Sequence, residues 1–190
     1  MIKTGLTEEE LERSALLLNG LLADHFTLML KTWQFHWNVV GDSFGSYHEA
    51  MLKLYEEEIE RVDDVAERIR ALGKRPLGSM EAMLQNNHIK EFGMGEAVPQ
   101  ALDMWKIIRD DWDKLIRSIR DIHKQIPEND LATLNFLEDM IESMEKEAWM
   151  VRSYNVTMLL RQVFRSLYTG KQNRVSLSAH PFFLRISNCS

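Results

Sequence analysis

Hydrophobic residues recur at three-, four- and seven-residue steps along most of the chain, which is the spacing of one face of an α-helix. Glycine and proline interrupt this pattern at only a few places, so the periodic segments between them are long. The first helix is predicted to begin at Thr7 and to break at Gly41–Gly45. The remaining helices are predicted over about Phe44–Leu72, 80–88, 96–125 and 130–168.

Each long helix carries an apolar stripe that should face a common core. In chain order the four stripes are Leu11, Leu18, Leu22, Met29 and Trp33; Leu52, Tyr55, Ile59, Val62, Ala66 and Ile69; Trp105, Ile108, Trp112, Leu115 and Ile119; and Leu134, Leu137, Ile141, Met144, Trp149 and Leu159. His25 lies close to the first stripe, so we expect it in the core or at an interface.

The connection over 73–94 is too long for a simple turn between two neighbouring helices of a bundle. A short helix inside it would cross between the second and third long helices. The predicted fold is therefore an all-α four-helix bundle with one long connection in the middle. A cytokine-type bundle is the alternative, but such proteins are usually disulfide-bonded, and this chain has a single cysteine, Cys189.

Signals at the helix ends agree with these boundaries. Thr7 followed by Glu10 is a capping box, and Gly73 is suited to end the second helix. Asn129 or Asp130 should cap the fourth long helix. We predict one bundle domain over 1–168 and a separate C-terminal tail over 169–190, which is polar and rich in serine.

Composition narrows the class of protein. Hydrophobic residues make up 45% and charged residues 27%, as in ordinary globular proteins, and no apolar stretch approaches the length of a membrane span. The formal net charge of −6 argues against a general affinity for nucleic acid. One cysteine and no signal-peptide pattern favour a cytoplasmic location.

Four residues carry the candidate chemistry. His36 and His48 stand twelve residues apart across the glycine-marked turn, and Asp63 and Glu67 follow, four apart on one helix. Carboxylates at that spacing face the same way. Two imidazoles and two carboxylates suit iron, with zinc or manganese as lesser possibilities.

The four side chains of a single chain could not bind the same metal ion. His48 and Asp63 on one continuous helix would be about 22 Å apart at 1.5 Å of rise per residue, whereas metal–ligand bonds are about 2 Å long. Either the four residues are not a metal site, or a second chain supplies the missing half from an antiparallel helix. We favour the second reading, in which each subunit gives histidines to one site and carboxylates to the other.

The same stretches resemble a known family. The patterns HWNVxGxxFxxxH, from His36 to His48, and DxxAERIxxLG, from Asp63 to Gly73, are similar to the signature of the Dps family (DNA-binding proteins from starved cells). These proteins are miniferritins of the ferritin-like superfamily, and the resemblance covers roughly residues 7–165.

The resemblance implies a ferritin-like fold and an activity. It makes His36, His48, Asp63 and Glu67 the ferroxidase ligands at two-fold interfaces, where ferrous iron is oxidised, preferably by hydrogen peroxide. It implies storage of ferric mineral inside a hollow shell of twelve identical subunits, with zinc as a possible substitute for iron in crystals. Trp37 resembles the family tryptophan that intercepts stray oxidising equivalents, although a core aromatic residue would explain it equally well.

Two features depart from related patterns. Many family members carry an aspartate four residues after the second histidine, where this chain has Leu52, so the number of irons per site is open. The Glu-x-x-His pattern of ferritins with a di-iron centre inside one subunit is absent from the sequence.

Two alternative functions remain. The protein could coat DNA and have little catalytic role, or it could form a shell with a vestigial site. The net charge makes DNA binding doubtful.

Two further groups of acidic residues lie outside the candidate metal site. The run Glu56, Glu57, Glu58 and Glu60 is expected to be a solvated helix face, some of which could nucleate mineral. By analogy with the family, acidic ion-entry pores would use Asp121, Glu128, Asp130 and Glu138.

Overall fold

Five helices make up most of the part of the chain that the structure describes. The structure, a computed structural model, describes the backbone of residues 4–168 and the side chains of residues 4–153. The helices are α1 (Glu8–Asn38), α2 (Phe44–Ala71), α3 (Met80–Asn86), α4 (Ala101–His123) and α5 (Leu131–Tyr168), and no strand occurs within the described range. The predicted all-α fold, with its short helix between the second and third long helices, is confirmed.

The helix ends follow local chemistry. Thr7 and Glu10 form the predicted capping box, and Gly73 has a φ of 76°, the left-handed conformation that glycine adopts readily after a helix. α4 begins at Ala101 instead of about 96, because Pro99 favours extended backbone before it and the N-cap Gln100 is itself extended. α3 ends at Asn86, two residues before the predicted end.

α1 is the centre of the packing and contacts α2, α3 and α4. Polar contacts join α5 to the others: the indole Nε1–H of Trp105 on α4 donates to the carbonyl of Val151 at 3.0 Å. The predicted stripe of α4 is buried, and so are Leu11, Leu18, Leu22 and Met29 on α1, whereas Trp33 is half-buried. On α5, Leu137, Ile141 and Met144 are buried. Trp149 is exposed, so its prediction as a core residue was wrong, and the side chain of Leu159 lies outside the described residues.

The predicted stripe of α2 was largely wrong. Of its six residues only Ile69 is buried; Ile59 is 45% exposed and the others are half-buried. The buried face of α2 consists of Tyr47, Met51, Leu54, Glu58, Arg61, Val65 and Ile69. α2 therefore carries two apolar stripes, and the second one is left partly uncovered in the single chain.

The chain divides into two compact units, Met1–Asn155 and Val156–Ser190. α1 to α4 and most of α5 belong to the first unit, and the site described below lies entirely within it. The predicted tail over 169–190 lies outside the described residues. Within the described part, no helix is long and apolar enough to cross a membrane.

Candidate metal centre

The end of α1 and the start of α2 bring His36 and His48 together. α1 ends at Asn38, and Gly41 in the following turn has a φ of 116°, which a side chain would strain. The amide of Phe44 then donates to the carbonyl of Gly41 at 3.0 Å and starts α2. The imidazole rings of the two histidines stack with centroids 3.7 Å apart.

Each histidine is held by the backbone of the other. Nδ1 of His36 lies 2.8 Å from the carbonyl oxygen of His48, and Nδ1 of His48 lies 3.0 Å from the carbonyl oxygen of His36. A carbonyl oxygen only accepts, so Nδ1 carries the proton in both rings. In the neutral rings both Nε2 atoms then have a free lone pair, which is the state in which histidine binds a metal.

An aromatic cluster surrounds the pair. The ring of Tyr55 meets His36 edge-on at 5.3 Å, and Trp33 stacks on Tyr55 at 5.5 Å. Trp37 lies 4.9 Å from Trp33 and is 57% exposed, so the core-aromatic explanation of Trp37 is wrong for the single chain. Rings therefore connect the histidine pair to an exposed indole at the protein surface.

Asp63 and Glu67 lie at the other end of α2. Both side chains are exposed, and neither takes part in a hydrogen bond or ion pair with another described residue. Because α2 is one continuous helix, the rise from His48 to Asp63 is about 22 Å. No three His, Cys, Asp or Glu side chains in the described part of one chain are placed to hold a metal ion. One subunit thus carries a histidine pair and, about 22 Å further along α2, a carboxylate pair.

The other histidine on α1 has a different role. His25 is completely buried and its Nδ1–H donates to the Glu58 carboxylate at 2.7 Å. This confirms His25 as a core residue. The prediction that the acidic run is a solvated helix face was wrong for Glu58, which is fully buried and pairs with Arg61 at 2.9 Å, whereas Glu56 and Glu60 are exposed as expected. Sequence analysis missed this buried charge network.

Asp130 is a structural residue. Its Oδ1 accepts from the amide of Thr133 and from Arg68, and its Oδ2 accepts from Ser14. Asp130 is therefore the cap of α5, as predicted. It is 2% exposed with both oxygens engaged, so its assignment to an ion-entry pore was wrong. Of the other pore candidates, Glu138 pairs with His123 and Asp121 with Lys124.

Comparison with known proteins identifies the relatives of this chain. The model of the ferritin-like domain family matches residues 15–159. The low temperature-induced protein all0458 of Nostoc sp. is 41% identical over 155 residues, covering 80% of this chain and 86% of the relative. DNA protection during starvation protein 2 of Bacillus anthracis is 33% identical over 139 residues, covering 72% of this chain and 92% of the relative.

A solved structure extends the comparison. The Dps protein of Vibrio cholerae O1, described as a member of a broad superfamily of ferritin-like diiron-carboxylate proteins, superposes with a TM-score of 0.75 at 28% identity. The superposition covers 81% of this chain and 96% of that chain. Together with the family match over most of the helical bundle, this shows that the chain belongs to the Dps family of ferritin-like proteins.

Proposed function

We propose that this protein oxidises ferrous iron, preferably with hydrogen peroxide, and stores the ferric product inside a hollow homododecamer in the cytoplasm. Membership of the Dps family supports iron storage and protection against stress. The observation that carries the oxidation step is the histidine pair, whose carbonyl contacts leave both Nε2 atoms free to bind the substrate iron.

The complete site in this proposal is shared across a two-fold axis. His36 and His48 of one subunit bind iron together with the partner subunit's Asp63 and the partner subunit's Glu67. An antiparallel pairing of α2 helices that sets His48 opposite the partner's Asp63 also sets Leu52 opposite the partner's Ile59. The uncovered apolar stripe of α2 supports this pairing, because association would bury it.

The chemistry requires a site that holds ferrous iron loosely and leaves coordination positions open. Neutral imidazoles and carboxylates do so, and they admit an oxidant to the metal. Two ferrous ions give one electron each to hydrogen peroxide, its O–O bond breaks, and hydrolysis of the ferric ions releases protons. Because both electrons come from iron, hydroxyl radical is avoided. Zinc binds the same kind of ligands and would occupy the site without being oxidised.

The aromatic cluster supports a protective role for Trp37. Where only one ferrous ion is bound, a second electron must come from elsewhere, and tryptophan and tyrosine are oxidisable side chains. The sequence of contacts from His36 through Tyr55 and Trp33 gives Trp37 a route to the site. We therefore keep the prediction that Trp37 intercepts stray oxidising equivalents.

The test of the proposed function is direct. Ferrous salt added anaerobically to the assembled protein, followed by peroxide, should give rapid ferric absorbance, a mineral core and almost no hydroxyl radical in a spin-trapping assay. Bovine albumin at equal mass is the control. Ferric absorbance that rises no faster than with albumin would rule out the enzymatic step.

Replacing Leu52 by aspartate should increase the iron bound per site. The substitution adds a carboxylate one helical turn after His48, where many family members have one, and ferrous iron is commonly bound by histidines together with a carboxylate. Ferrous binding measured anaerobically by calorimetry should show a stronger second iron. Leu52→Asn, which adds an uncharged group of the same shape, is the matched control, and equal binding by both variants would contradict the expectation.

DNA binding is the alternative function, and we predict that it is absent at physiological salt. A net charge of −6 per chain repels phosphates over about a Debye length, roughly 8 Å. Lys171, Arg174 and Arg185, the cations of the tail, lie outside the described residues. A gel-shift titration with plasmid checks this expectation. Retarded plasmid at sub-micromolar protein, abolished by deleting residues 170–190, would support the alternative.

A further inference from the structure

Four charged or titratable side chains from three helices meet in the core of the bundle. His25 of α1 donates to Glu58 of α2, and the guanidinium of Arg61 binds Glu58 at 2.9 Å and Glu147 of α5 at 2.5 Å. The exposed fractions of these side chains are 0% for His25 and Glu58, 9% for Arg61 and 11% for Glu147. The fourth long helix, α4, contributes Trp112, whose ring centroid lies 5.3 Å from the guanidinium carbon of Arg61.

This arrangement shares inward carboxylates and an inward histidine with di-iron centres, but it lacks their full set of ligands. Di-iron bundles of the ferritin-like class bind metal with a Glu from each of two helices and a Glu-x-x-His motif from each of the other two, all pointing inward. In this chain α2 presents Glu58-x-x-Arg61, with arginine at the histidine position. α1 presents His25 and α5 presents Glu147. The inward carboxylates therefore surround a guanidinium, and the residues present do not fit an intrasubunit di-iron centre.

The guanidinium is a fixed cation. Arginine is not deprotonated in proteins. Desolvation acts to lower the pKa of Arg61, but the ion pairs with Glu58 and Glu147 outweigh it and the pKa of Arg61 is raised. A divalent ion entering this pocket would have to displace a buried, doubly paired positive charge. Within the described residues, the network still leaves Nε2 of His25 and Oε2 of Glu147 buried without a partner. Both are atoms that could bind a metal if the guanidinium were gone.

We propose that Arg61 is a specificity-determining residue, whose guanidinium occupies the cation position of the bundle core and so excludes metal ions from it. Iron is then left to the histidine and carboxylate half-sites at the subunit interface, a consequence that rests on the proposed function. The exclusion itself does not, because it concerns metal binding and not oxidation. In this proposal the bundle core holds the Arg61 cation, and the subunit interface holds the substrate iron.

The test replaces the protein cation by a metal ligand. Arg61→His recreates the Glu-x-x-His spacing, and it is made in a His36→Ala/His48→Ala background so that the histidine pair does not contribute. The probe is Co²⁺, whose visible absorption reports nitrogen and oxygen ligands. We expect about one additional Co²⁺ per chain in the Arg61→His protein relative to its background. Arg61→Lys, which keeps a cation in the core, is the matched control and should bind no more than the background.

A second readout is thermal stability. Removing one member of a buried charge network leaves the others uncompensated and is strongly destabilising. A metal that binds only the folded state should restore the melting temperature. Co²⁺ should therefore raise the melting temperature of the Arg61→His protein and leave that of Arg61→Lys unchanged. If Arg61→His does not fold, Arg61→Gln is used instead. It also removes the guanidinium, and His25, Glu58 and Glu147 are then the only metal ligands left in the core cluster.

Two results would overturn the inference. In the first, a folded Arg61→His or Arg61→Gln protein binds no more Co²⁺ than its background. In the second, the background protein itself binds Co²⁺ in the core, shown by loss of that binding in Glu147→Gln. Neither result depends on iron oxidation, so a failure here is distinct from a failure of the ferroxidase proposal.

Discussion

Replacing both His36 and His48 by alanine is expected to reduce the initial rate of peroxide-dependent iron oxidation by more than about 100-fold. The two side chains provide both nitrogen ligands of the proposed site. Among the described residues, their hydrogen bonds run only to each other's backbone carbonyls, so their loss should leave the bundle and the assembly intact. Stopped-flow absorbance after mixing ferrous-loaded protein with peroxide measures the rate, and size-exclusion chromatography checks the assembly.

His123→Ala is the matched control. His123 is also in a helical last turn and also has a partner, Glu138 at 3.0 Å, but it lies on α4, away from the histidine pair. Its replacement should leave the initial rate within about twofold of the parent, since a surface ion pair contributes at most about 1 kcal/mol. An unchanged rate in the His36→Ala/His48→Ala protein would remove these residues from the mechanism.

Asp130→Ala should be strongly destabilising, at about 3 kcal/mol. The carboxylate accepts from the amide of Thr133 at 3.2 Å, from Arg68 at 3.1 Å and from Ser14 at 2.8 Å. Alanine would remove the cap of α5, deprive the Arg68 charge of its carboxylate partner and leave the buried Ser14 hydroxyl without its acceptor, while Arg68 keeps its contact with the Thr133 hydroxyl. The loss corresponds to a fall in melting temperature of roughly 6–12 °C.

Glu128→Ala provides the comparison. Glu128 belongs to the same turn but is exposed, and surface substitutions away from special features change stability by about 0.5 kcal/mol or less. Differential scanning calorimetry of both variants at equal protein concentration measures the two shifts. Similar melting temperatures for Asp130→Ala and Glu128→Ala would show that the three contacts of Asp130 contribute little.

The sequence was a good guide to helices and a poor guide to one helix face. α4 has a single apolar stripe, and all of its predicted core residues are buried. α2 has two apolar stripes, and the stripe that is buried is interrupted by Glu58 and Arg61. Hydrophobic periodicity predicts that these two charged side chains are exposed to solvent. Their partners His25 and Glu147 lie 33 and 86 residues away in the chain, so local sequence does not show that the charges are paired and buried.

The sequence suggested which residues form the proposed site but not the detailed geometry of the histidine pair. The spacing of His36, His48, Asp63 and Glu67 was sufficient to propose the ligands and, through the length of α2, to propose a second subunit. The reciprocal hydrogen bonds that fix the tautomers could not be foreseen, because their acceptors are backbone carbonyls that any residue has. The start of α4 was placed too early, since the apolar pattern continues across Pro99 while the helix does not.

Mixed assemblies of two variants test whether the proposed iron site is shared between subunits. One chain carries His36→Ala/His48→Ala and the other Asp63→Ala/Glu67→Ala; each alone should be inactive. In a mixed dimer, one of the two sites regains both native half-sites. Random reassembly of equal amounts should therefore restore about a quarter of the native oxidation rate. Mixed shells, verified by mass spectrometry, that remain as inactive as either variant alone would contradict the shared site.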